Sequence, residues 1–157
     1  MRKLFVLSTL IAVSGSAVAA ASGGRPTSVF QCSFGKKQVL VTRAGPLYLY
    51  SFGLPGKPEV QIVGDPSKRN IFSSENFGTL DGGKQLRLAN GRYSYVVFFN
   101  GLSKDYGTLH ATSASGLAVF DGKNRISKFS CKSGMGFTSG WNADGASAEE
   151  LDDYDVS

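Results

Sequence analysis

From Phe30 to Cys131 apolar side chains recur mainly at every second position, in short runs interrupted by Gly, Pro, Asn and Asp. That is the period of half-buried strands. Phe30, Cys32 and Phe34 fall on one face of a first strand, and Val39 and Val41 on one face of a second. After the turn Ala44-Gly45-Pro46, Leu47-Tyr48-Leu49-Tyr50-Ser51-Phe52 is a third strand with apolar groups on both faces. Gly53-Leu54-Pro55-Gly56-Lys57-Pro58 breaks it, because proline has no N–H for a ladder and Pro-Gly favours a tight turn. Val60 and Ile62 mark the next strand, which Asp65-Pro66 ends, and Ile71 to Phe77 is a weaker fifth run.

The strongest local signal is Lys84 to Ala89, then Asn90-Gly91, then Arg92 to Phe99. Asn-Gly between alternating runs predicts a hairpin with a type I′ turn. Leu86 and Leu88 alternate with polar residues, whereas Tyr93 to Phe99 is apolar on both faces and reads as a central strand covered on both sides. Leu117 to Phe120 and Arg125 to Cys131 form another hairpin through Asp121-Gly122-Lys123-Asn124. No helical period and no internal repeat is visible. The pattern predicts an all-β fold, an antiparallel sandwich or closed barrel of about 8–10 short strands.

Residues 1–19 read as an export signal: Met1-Arg2-Lys3 is cationic, Leu4 to Val13 is mostly apolar, and Ala17-Val18-Ala19 fits a cleavage site. Cleavage after Ala21 is the alternative. The apolar run is too short for a membrane span, and no other long one follows. A periplasmic or secreted location makes the two cysteines a candidate pair, since an oxidising compartment favours joining them. Cys32 and Cys131 would close a loop of about 100 residues, a closure that stabilises by roughly 4.7 kcal/mol in the chain-entropy model. Two free thiols are the alternative.

Composition and charge then divide the chain. The 157 residues include 20 Gly and only 18% charged residues, as suits a turn-rich globular β-protein of one domain. Residues 20–131, the expected β-domain, carry +8, and residues 132–157 carry −5. The latter segment is rich in glycine and then acidic, Glu149-Glu150-Leu151-Asp152-Asp153-Tyr154-Asp155, and reads as a flexible tail. Ser147-Ala148-Glu149-Glu150 resembles a capping box that would start a helical turn. Phe137 and Trp141 are the apolar exceptions, for docking on the body or on a partner. A basic body suits anionic envelope polymers or membrane surfaces; export and the absence of a recognition motif count against nucleic acid.

Chemistry finds little support. One histidine and two cysteines exclude most zinc, haem and iron–sulfur sites, so no metal and no cofactor is expected. His110 lies in a strand-like segment without a G-x-S-x-G elbow, and the carboxylates Asp65, Asp81 and Asp121 occupy turn positions. Asp121 to Asn124 lacks EF-hand spacing. No catalytic residue is assigned.

Tyr48 to Glu59 and Asn90 to Phe98 resemble small exported proteins of Gram-negative bacteria with a Y-x-F/Y-G-x-P-G-K/R-x-E segment, a G-x-Y-x-Y strand and a terminal cysteine pair. The resemblance covers roughly residues 28 to 132 and implies compartment and fold, without a catalytic residue. A weaker likeness is to periplasmic lysozyme inhibitors, which insert a Ser-Gly-x-x-Tyr loop into the enzyme cleft; here Asn100 to Tyr106 has a Gly and a Tyr at another spacing. The expectation is a monomeric, non-catalytic envelope protein that binds a glycan or an anionic lipid surface. Lys57 and Lys104 would supply charge and Tyr106 a stacking surface, with Asp105 beside them. A lysozyme inhibitor acting through residues 100–106 is the alternative partner reading, and a hydrolase the third.

Overall fold

The computed structural model describes residues 25–75, 83–100, 114–138 and 143–149, together with Tyr154 and Val156. The expected signal segment, His110, Trp141 and the loop residues Lys104, Asp105 and Tyr106 lie outside the described residues.

The alternating segments form strands β1 (Thr27–Ser33), β2 (Gln38–Ala44), β3 (Leu47–Leu54), β4 (Lys57–Gly64), β5 (Ile71–Glu75), β6 (Gly83–Asn90), β7 (Tyr93–Asn100), β8 (Ala114–Asp121) and β9 (Asn124–Ser130). Two more, β10 (Ser133–Phe137) and β11 (Ser147–Ala148), come from the segment expected to be a tail. They make two sheets, in the orders β10-β1-β2-β3-β4 and β11-β5-β6-β7-β8-β9. The architecture is therefore a sandwich rather than a closed barrel. β1 to β4 and β5 to β9 are antiparallel meanders, to which β10 adds antiparallel beside β1 and β11 adds parallel beside β5.

Tight turns account for the meanders. The pairs Ala44↔Leu47, Leu54↔Lys57, Asn90↔Tyr93 and Asp121↔Asn124 each enclose two residues. The Asn90-Gly91 signal is real but its turn is displaced by one residue: Asn90 is the last residue of the ladder, and the turn is Gly91-Arg92. Gly91 has φ +62° and Arg92 is not left-handed, the pattern of a type II′ turn instead of the expected I′. One left-handed residue, supplied by glycine, replaces two, so Asn90 bears no strain. The predicted break at Gly53 to Pro58 likewise shrinks to Pro55-Gly56. Pro58 is accommodated because β4 is an edge strand whose ladder is bulged there.

Alternation sorts the side chains into layers. Phe30, Cys32, Val39, Val41, Tyr48, Tyr50 and Ile62 from the first sheet meet Ile71, Leu86, Leu88, Val97 and Leu117 from the second in one buried core. β7 is covered on both sides, as its composition suggested. Val97 faces that core, while Val96 and Phe98 join Ala118 and Phe120 in a second cluster on the outer face of the second sheet. β3 differs: its outward Leu49 and the paired Val63 of β4 remain exposed.

The described parts of the acidic segment are docked, against the expectation of a flexible tail. Phe137 pairs with Phe30, edge-on at 4.9 Å. Asp144 reaches Arg43 and Tyr48. Ser147 and Ala148 extend the second sheet beside Phe72 and Ser73, where a helical turn was expected. The described residues of this C-terminal strap are 143–149, Tyr154 and Val156; Val156 is buried in the outer cluster and Tyr154 packs against it. The body needs cover for an apolar outer face, and local capping preferences are too weak to compete with that burial.

Candidate functional site

One end of the sandwich gathers most of what the sequence offered. β1 ends and β2 begins there, as do β3 and β4, and the disulfide joins Cys32 to Cys131 with their Cα atoms 5.4 Å apart. The Cys131 N–H donates to the Ser115 carbonyl (2.8 Å) and the Lys132 N–H to that of Ser33 (2.8 Å), so the last strands of both sheets are stitched at this point. Asn100 and Ala114, which flank residues 101–113, are paired one position from Ser115.

Three rings close the gap between the sheets here. Phe34 lies 5.5 Å from Phe129 and 6.1 Å from Phe52, and Phe52 lies 5.7 Å from Phe129, between ring centroids. Phe34, expected within the first strand, instead opens the β1–β2 turn, where its N–H donates to the Lys37 carbonyl. Phe129 keeps 36% of its surface and nearby Leu54 42%. The Lys37 ammonium stands 5.6 Å above the Phe52 ring and 2.7 Å from a Glu59 carboxylate oxygen.

Each described carboxylate already has its own cation: Glu59 with Lys37, Asp65 with Lys68, Glu75 with Lys84, Asp121 with Arg92, Asp144 with Arg43 and Glu149 with Arg87. Lys36, Lys57 and Lys132 are exposed at the disulfide end and have no ion pair among the described residues. Of the predicted contact residues, Lys57 lies at this end, paired with Leu54 across the β3–β4 turn. Phe34, Phe52 and Phe129 were not singled out from the sequence, because their rings meet only across the two sheets. The Lys36-Lys37 pair was the one visible signal.

Among the described residues no group of three or more His, Cys, Asp or Glu is placed to hold a metal ion. Two buried tyrosines sit deeper. Burial raises the phenol pKa of Tyr50, whose hydroxyl has no hydrogen-bond partner among the described residues and whose ring lies 5.4 Å from Tyr95. Tyr48 is also raised by burial, offset in part by Arg43, and its hydroxyl donates to the Asp144 carbonyl at 2.9 Å. Flexible ammonium groups around half-buried rings suit stacking on a sugar and attraction of anionic groups. No protein-family model, curated protein or solved structure matches this chain.

Proposed function

We propose that this is a non-catalytic exported protein that binds an anionic glycan surface of the cell envelope through its disulfide end. The observation that carries the reading is that Lys36, Lys57 and Lys132, exposed and without an ion pair among the described residues, lie at the same end as the Phe34, Phe52 and Phe129 rings. Export is supported by the Cys32–Cys131 bond together with the cationic and apolar start of the chain. Among the described residues no helix is long and apolar enough to cross a membrane. The rings supply contact area to a polymer, and the lysines supply long-range attraction that weakens with salt.

The test is binding of the mature protein to immobilised lipopolysaccharide and to an uncharged glycan at low and high salt. The variant Lys36→Glu, Lys57→Glu, Lys132→Glu loses low-salt binding to the anionic material. Equal binding by the variant overturns the reading. Lysozyme inhibition that disappears in Tyr106→Ala would replace it with the inhibitor reading.

A further inference from the structure

The outer face of the second sheet holds a buried charge. Arg87 projects from β6 among Val96, Phe98, Ala118 and Phe120 of the neighbouring strands, and its guanidinium is 3.8 Å from the Phe72 ring and 4.4 Å from the Tyr154 ring. Nε and Nη2 donate to the Glu149 carboxylate at 2.6–3.1 Å, and Nη1 donates to the Ser94 hydroxyl at 3.3 Å. Both charged side chains are almost wholly buried, at 10% and 7% exposure.

As a permanent cover this is a poor choice. Two desolvated charges offset much of their own attraction, and an apolar pair of similar volume would hold the strap at least as well. What a two-pronged guanidinium adds is selectivity for a carboxylate. The rest of the contact is equally peptide-like. Ser147 and Ala148 pair with the edge of β5, the Glu149 N–H donates to the Ser73 carbonyl at 3.0 Å, Tyr154 stands edge-on to Phe120 at 5.1 Å, and the Lys123 ammonium is 4.1 Å from the Tyr154 ring. Sheet-edge addition with pockets for chosen side chains is a common mode of peptide recognition.

We propose that this face is a binding site for an extended acidic peptide segment, filled at rest by the chain's own strap. Its ligand adds a strand to β5, gives a carboxylate to Arg87 and lays an aromatic ring on Phe120. The resident strap is a tethered competitor whose effective concentration is of millimolar order, so an outside peptide is excluded until the strap's own hold is weakened. This site is separate from the disulfide end and stands or falls independently of it.

The experiment uses the full mature chain and a labelled synthetic peptide of residues 143–157. Glu149→Gln in the protein loosens the strap, and that variant binds the wild-type peptide at least about tenfold more tightly than the wild-type protein does, following the gain in vacant sites. A peptide carrying Glu149→Gln gains no such affinity, and adding Arg87→Met to the protein abolishes the gain. Should Glu149→Gln fail to fold, Tyr154→Ala loosens the strap while leaving Arg87 its carboxylate and provides the same comparison. Equal affinity of loosened and wild-type proteins for the wild-type peptide, or a gain that survives Arg87→Met, overturns the proposal.

Discussion

At one end of the sandwich Cys32–Cys131 and the rings of Phe34, Phe52 and Phe129 hold the two sheets together, and Lys36, Lys57 and Lys132 are left without carboxylates. At the other end the chain turns back through Gly45-Pro46, Gly91-Arg92 and Gly122-Lys123, and the strap crosses it: Asp144 takes Arg43 and Tyr48, and Ala146 packs on the core. The strap then reaches the outer face, where Glu149 takes Arg87. Where a covalent bond and apolar rings do the holding, cations remain available to a ligand. Where the strap does it, Arg43 and Arg87 are consumed in the closure.

Removing the covalent bond is the severest way to break this contrast. Replacing both cysteines by serine should lower the unfolding free energy by about 4.7 kcal/mol, since the residues are 99 apart in sequence, as read by urea titration of the oxidised wild type and the variant. A loss below about 1 kcal/mol would mean that the three rings alone hold this end. The strap comes next. Glu149→Ala leaves the Arg87 charge buried without a partner and should cost about 3 kcal/mol, with Arg87→Met in the same chain recovering most of it. If the two substitutions are additive, the ion pair is not what fastens the strap.

Two tyrosines sharpen the comparison at smaller scale. Tyr48→Phe removes a hydrogen bond to the strap and should lose about 1 kcal/mol, whereas Tyr50→Phe removes a buried hydroxyl that has no partner and should lose none. Both phenols have pKa values raised by burial. A folded pKa above the unfolded value, about 10, means that this contribution to stability is complete below pH 10 and is lost as pH rises beyond it. Tyrosinate absorbance from Tyr48 and Tyr50 should therefore appear together with alkaline loss of the near-ultraviolet dichroism. Ionisation of every tyrosine in a still-folded protein would refute the burial argument. The smallest effect belongs to Lys37→Ala: its pair with Glu59 is about half exposed on both sides, so stability should change by less than 1 kcal/mol.

Strands β1 to β9, their order along the chain, the hairpins and the cysteine pair were legible in the sequence because each follows from local information. Period-two alternation, a glycine at a turn and the redox logic of a cysteine pair need no knowledge of the other sheet. Even the burial of β7 on both faces could be read from Tyr93 to Phe99. What covered it could not be. The acidic composition of residues 144–155 describes a solvated tail, and only the packed sheet presents the Phe72, Arg87 and Phe120 surface that makes docking favourable. Arg87 and Glu149 are 62 residues apart, and Phe34 meets Phe129 across two sheets. Such contacts depend on strand order and on which faces remain uncovered, quantities that exist only once the chain has folded. The sequence alone determined β1 to β9 and the covalent link, and the tertiary structure decided where β10 and β11 form and which charges are consumed, because desolvation and pairing belong to the assembled surface.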